Sequence, residues 1–151
     1  MAIRGDAGWD LAVSNRGQLV LVVQIKRKTN ASPQWAAELR HNILAQTAFP
    51  GVPYFLIVFP DRFYLWLKSD QSNQSEPAYS VDAAPALQPY FARAGVTADQ
   101  ISAASFALIV SSWLGEIIHA ERIETTAQPW LIESGLYAAI AGGKLEYEAA
   151  A

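Results

Sequence analysis

The chain has 151 residues, contains no cysteine and carries a net charge of -3. A length of this order suits a single domain that buries its own core, and the lack of cysteine excludes a disulfide framework, a Cys-based zinc site and a thiol nucleophile. The acidic balance excludes whole-molecule attraction to nucleic acid, so any such contact has to be local.

Residues 9–14 alternate, with Trp9, Leu11 and Val13 on one side and Asp10 and Ala12 on the other, the period-two pattern of a strand. Asn15, Arg16 and Gly17 supply a turn. Over 18–28, Leu19, Leu21, Val23 and Ile25 fall on one face and Val20, Val22, Gln24, Lys26 and Lys28 on the other, so this strand starts buried and ends wet. Ser32 followed by Pro33 signals a helix start, because a serine oxygen caps free N–H groups and proline suits the first turn. Trp35, Leu39 and Ile43 mark one face of that helix, which runs to about Thr47 before Pro50 and Pro53 end it. The continuous apolar run 54–59 fits a central strand covered on both sides. After a turn at Pro60 and Asp61, residues 63–67 read as its neighbour.

Residues 69–80 read as a polar connection. The second half turns helical, first over 85–94 and then over 98–119, where Thr97 and Gln100 have the spacing of a capping box. The stripe of Ile101, Phe106, Ile109, Val110, Trp113 and Ile117 must pack on something. A last helix runs from Pro129 to the Gly142-Gly143 stop. No apolar run approaches the roughly 20 residues of a membrane-spanning helix, and the start at Met1 lacks the features of a secretory signal, so a cytoplasmic, non-membrane protein is expected.

One set of residues has the makings of a site. Asp10 and Gln24 are separated by an even number of positions, so a connection centred on Gly17 sets them opposite one another on one face, and Lys26 projects from that face as well. An acid, an amide and an amine then converge where the second strand stops being apolar.

The order strand, turn, strand, helix, strand, strand, with Asp10 on the first strand and Val23-Gln24-Ile25-Lys26 on the second, resembles the core of the PD-(D/E)xK nuclease superfamily, over roughly residues 7–67. That superfamily includes type II restriction endonucleases, Holliday junction resolvases and Mrr-type nucleases. The resemblance implies an α/β fold with a restriction endonuclease-like core, a mixed central sheet flanked by helices, and a helical C-terminal half. The whole chain, 1–151, is then one domain, with the core over 7–68 and a helical part over 82–146 packed on it. It also implies a metal site for Mg²⁺ or Mn²⁺ made by Asp10, Gln24 and the backbone carbonyl of Ile25, with Lys26 positioning the attacking water.

Two departures stand out. Gln24 replaces the family carboxylate and removes one negative charge, although some Mrr-like and VRR-type members carry QxK there. The N-terminal helix that supplies another acid in many members is missing, with only Asp6 ahead of Asp10. Glu38, which shares a helix side with Gln34, His41 and Asn42, offers an auxiliary acid; its bland alternative is a solvated side chain. The corresponding alternative for Asp10 and Lys26 is a cross-strand ion pair at an ordinary sheet edge.

The resemblance implies a nuclease that hydrolyses DNA phosphodiester bonds, with Arg27, Lys28 and Arg40 on backbone phosphates, and by family likeness a homodimer. The competing expectation is a catalytically inactive nuclease fold that serves as a binding or assembly module, suggested by the neutral Gln24 and the apolar second half. His41 and His119 lack a zinc-ligand pattern, and Trp66, Trp113, Trp130 and Tyr137 are expected in the core.

Overall fold

The computed structural model describes residues 9–46, 52–67, 76–121 and 128–147, and begins with a hairpin. Its strands are β1 (Leu11–Asn15) and β2 (Gln18–Ile25), joined by Arg16 and Gly17, both at positive φ (55° and 78°), which matches the right-handed twist of the strands it joins. The register pairs Asn15 with Gln18 and Ser14 with Leu19, then shifts so that Val13 faces Leu21. Val20 is the extra residue of a bulge. It breaks the uniform alternation expected of this strand: Leu19 packs on one face of the sheet, while Val20 and Leu21 both pack on the other.

The chain crosses over through α1 (Pro33–Gln46) to β3 (Tyr54–Val58), which pairs parallel to β2, as a crossover helix permits. The Ser32 hydroxyl accepts from the Trp35 N–H at 3.0 Å, the expected cap. A tight turn at Pro60-Asp61 leads to β4 (Arg62–Leu67), antiparallel to β3.

Beyond this point the structure departs from the sequence expectations in three places. The stretch read as a polar connection contains the start of β5 (Tyr79–Asp82), an antiparallel partner of β4. After α2 (Ala84–Ala94), the long helix α3 (Ala103–His119) starts later than expected. Thr97 makes a separate turn in which its carbonyl accepts from Gln100 and its hydroxyl bonds to Asp99, and the true cap is Ser102, whose Oγ accepts from the Ser105 N–H at 3.1 Å. Finally, the expected last helix is broken into α4 (Pro129–Glu133) and α5 (Leu136–Ile140), and the chain then adds β6 (Lys144–Tyr147).

The break is local chemistry. Gly135 sits at φ 83°, and a Cβ there would lie 2.7 Å from the Tyr54 hydroxyl, which donates to the Ser134 carbonyl at 2.8 Å. Gly143 permits a close approach of a different kind, since a Cβ there would stand 2.7 Å from the Ser14 carbonyl oxygen. Through that gap β6 reaches β1 and pairs with it antiparallel.

The described residues form an α/β architecture with a six-stranded mixed sheet in the order β5-β4-β3-β2-β1-β6 and five helices. One face packs on α2, α3, α4 and α5 around Leu21, Val23, Leu56, Phe63, Phe106, Trp113, Leu114 and Leu136. The other packs on α1 around Ala12, Val22, Ala36, Phe55, Ile57, Phe59 and Trp66. Trp66, Trp113 and Trp130 are buried as expected, whereas Tyr137 is half-buried with its hydroxyl donating to Ala120. Among the described residues no helix is long and apolar enough to cross a membrane.

Candidate active site at the open end of the hairpin

Register and hydrogen bonds place the three candidate side chains. Leu11 faces Val23 across the β1–β2 pair, a register set by the bulged Val20 and not by a single connection centred on Gly17. Asp10 precedes β1, its N–H bonds to the Val23 carbonyl, and Trp9 packs on the face opposite to Leu11 and Val13, so the alternation expected over 9–14 breaks at Asp10. Ala12 and Val22 lie in the core beneath α1, so Gln24 on β2 and Lys26, which continues the ladder with β3, share that face, and the Asp10 carboxylate meets the peptide between them. All three are half-buried.

Asp10 has a defined partner. Its Oδ2 accepts the Ile25 backbone N–H at 2.7 Å, while its own N–H donates to the Val23 carbonyl at 2.9 Å. The carboxylate is thereby drawn against the peptide between Gln24 and Ile25, where β1 has stopped supplying backbone partners.

The segment leaving β2 is held from below. The Lys26 N–H donates to the Val58 carbonyl at 3.0 Å. Asn30, at φ 61°, gives its N–H to Asp61 Oδ2 at 3.0 Å, and the Tyr64 hydroxyl donates to the Ala31 carbonyl at 2.6 Å. Asn is one of the few residues that tolerate this left-handed conformation. Burial pushes the Tyr64 phenol above its ordinary value, against the opposing effects of Arg62 and of a hydrogen bond with Ser80. The loop carrying Lys26 to Lys28 is thus pinned to the β3–β4 turn.

The three basic residues expected beside the site part company. Arg27 is exposed, yet its Nη1 donates to the Ile101 carbonyl at 3.0 Å, toward the four-helix face. Lys28 is exposed and holds its Nζ 5.0 Å from the centroid of the Trp35 ring. Arg40 is only 7% exposed, its guanidinium lying over the rings of Trp66 and Phe55 at 5.4 and 5.8 Å. It is a packed cation between α1 and the sheet. Its place in the stripe follows from spacing, since Ala36 and Ala37, four and three residues earlier, are the small buried residues of the same helix face.

Glu38 lines an open depression of about 620 Å³ with Gln34, Ala37, His41, Asn42 and Glu76. The helical spacing that groups Gln34, Glu38, His41 and Asn42 therefore holds in space. Asp10, Gln24 and Lys26 are not among the described residues of that lining, and Glu76 belongs to the stretch before β5, on the far side of the sheet from β1. His41 is half-buried and its Nδ1 lacks a hydrogen-bond partner among the described residues, whereas His119 is exposed at the end of α3. Asp6 lies outside the described residues.

Trp35 is the residue that pattern reading misplaced. Assigned to the apolar stripe of α1, it stands 38% exposed at the first turn, edge-on to Phe59 at 5.9 Å. Its position three residues past the Ser32 cap was the available signal, because the first turn of a crossover helix lies at the rim of the sheet.

Among the described residues no three His, Cys, Asp or Glu side chains cluster as a metal site. The donors at the hairpin end are of another kind, one carboxylate, one amide oxygen and backbone carbonyls. Such hard oxygens suit Mg²⁺, which keeps several waters and needs as few as one or two carboxylates, and they do not suit zinc. Comparison of the chain with protein families, with curated proteins and with solved structures finds no match.

Proposed function

We propose that this protein is a Mg²⁺-dependent nuclease that hydrolyses DNA phosphodiester bonds, and that β1, β2, α1, β3 and β4 form a restriction endonuclease-like core of the PD-(D/E)xK type with QxK in place of the usual acid. The observation that carries this reading is the juxtaposition at the hairpin end: the Asp10 carboxylate accepts the Ile25 N–H at 2.7 Å, on the peptide flanked by Gln24 and Lys26.

Asp10 and Gln24 supply side-chain oxygens for the ion and Ile25 its carbonyl. When bound, the ion lowers the pKa of a coordinated water and neutralises charge on the phosphate. The Lys26 ammonium would orient the attacking water by hydrogen bonding and stabilise negative charge as it develops. Exposed Lys28 contacts a backbone phosphate in this reading, and Arg27 contributes what its bond to Ile101 leaves free. Arg40, enclosed between two rings, contributes packing instead of phosphate contact.

Incubation with supercoiled plasmid and Mg²⁺ or Mn²⁺ tests this directly. Metal-dependent nicking that disappears in Lys26→Ala is the expected result, and nicking equal in both proteins overturns the assignment.

A second reading rests on the Asp10–Ile25 hydrogen bond. If that carboxylate serves only to close the hairpin end and the amide at 24 is too weak a donor, the fold is a binding or assembly module. Calorimetry separates the two. The nuclease binds Mn²⁺, more tightly still in Gln24→Glu; the module binds none.

A further inference from the structure

The residue that escaped the apolar stripe lies beside this site. Trp35 and Lys28 both belong to the segment that leaves β2, just beyond Lys26, and enters α1, and the Lys28 Nζ lies 5.0 Å from the Trp35 ring centroid. The indole is supported from behind by an aromatic chain, Trp35 edge-on to Phe59 at 5.9 Å and Phe59 edge-on to Tyr64 at 5.8 Å. Tyr64 in turn anchors the Ala31 carbonyl, one residue before the cap that fixes Trp35. An exposed ring held in this way has lost little freedom still to lose, which is the condition under which a partner binds it well.

We infer that Trp35 and Lys28 form a platform on which an unpaired base stacks, so that the nucleic acid taken at the proposed active site is single-stranded or locally unpaired DNA, an inference that rests on the nuclease reading for its biological sense. A base within an intact duplex has both faces covered by its neighbours and offers an indole nothing to stack on. An unpaired base offers a full face, and every base has one. The Lys28 ammonium, 5.0 Å from the ring centroid, occupies the ring only by a cation–π contact that is weak at an exposed position. A base takes over the ring as the ammonium moves to the phosphate of the same nucleotide.

Charge points the same way. Binding to duplex along its backbone draws on many phosphate contacts, while this acidic chain offers here Lys26, Lys28 and an Arg27 already bonded to Ile101. A short basic patch with one exposed aromatic ring matches a single strand better.

Binding is measured by fluorescence anisotropy in EDTA, where no cleavage occurs, using labelled oligothymidylate of roughly 12 nucleotides, within the range of single-strand site sizes, and a duplex of equal length. The wild type is expected to prefer the single strand. Trp35→Ala is expected to weaken that binding roughly 5- to 150-fold, the loss of one stacked base, and Trp35→Phe, which keeps a ring, to retain most of it. Unchanged affinity in Trp35→Ala, equal affinity for duplex in the wild type, or binding of neither probe overturns the platform. The Phe variant guards against a folding defect, because a merely structural role for the indole would not track base stacking. Plasmid nicking keeps the two ideas separable: nicking that needs Lys26, beside Trp35-independent strand binding, refutes only the platform, whereas Trp35-dependent strand binding without nicking refutes only the nuclease.

Discussion

Among the described residues four helices cover one face of the sheet and a single helix covers the other, and the two coverings differ in chemistry as well as extent. On the four-helix face the contacts are large and apolar, from Leu11 and Phe63 in the strands to Trp113 and Leu114 in α3. On the α1 face the helix approaches through Ala36 and Ala37 and lays Arg40 over Phe55 and Trp66, leaving Asp10, Gln24 and Lys26 half-buried at the hairpin end. Both faces hold a core, and the proposed chemistry falls on the α1 side, a division of the same strands that period-two alternation makes possible. A β2 residue can hold the core or the site according to parity alone.

The sharpest way to break that division is to show that the four-helix face is dispensable. Trp113 is 2% exposed and tilted against Phe63 at 4.8 Å, so Trp113→Ala is expected to cost about 3–5 kcal/mol in urea unfolding. Asp10 tests the other side. Asp10→Ala removes an ionised acceptor from the Ile25 N–H and is expected to cost about 1.5–3 kcal/mol. Asp10→Asn keeps an acceptor oxygen and is expected to lose less than half of that while abolishing Mn²⁺ binding, a split that calorimetry and unfolding read separately. Ser32→Ala, which uncaps α1, is expected to cost about 1 kcal/mol.

The smallest effect compares the faces by titration. Each carries one tyrosine whose phenol is raised above its ordinary 10.0: Tyr54 on the four-helix side, by burial and then by Tyr79, and Tyr64 on the α1 side, chiefly by burial. A raised folded value means that the native state keeps a proton the unfolded chain releases. The associated stability is therefore complete below about pH 10 and falls as the pH climbs past it. Tyr64→Phe and Tyr54→Phe should each flatten part of that alkaline decline in melts taken between neutral pH and pH ~11.

The hairpin, α1 and β3 were legible because each announces itself locally, through alternation, a capped start or an unbroken apolar run. The strands β5 and β6 were not. Each has four residues with no fully buried member, and each exists because a partner far along the chain supplies its ladder, β4 for one and β1 for the other. Local propensity carries little of that information. The split between α4 and α5 was hidden for a related reason, since the Tyr54 hydroxyl that meets Ser134 comes from a strand 80 positions away. At the candidate site neither the bulge at Val20 nor the break in alternation at Asp10 was readable in advance, nor was the burial of Arg40, because an arginine is rarely a core residue until rings are brought under it.

The pairing of β6 with β1 also bears on synthesis. The Ser14 hydroxyl donates to Glu146 Oε2 across 132 positions, and Asn15 donates to the carbonyls of Ala139 and Ala141. The strand that leads from Asp10 therefore leaves the ribosome well over a hundred residues before its outer neighbour arrives. During that interval one side of β1 offers unpaired peptide groups, the kind of edge that recruits other nascent chains. Translation products that stop short of residue 144 should accordingly aggregate rather than persist as smaller, competent versions of the protein.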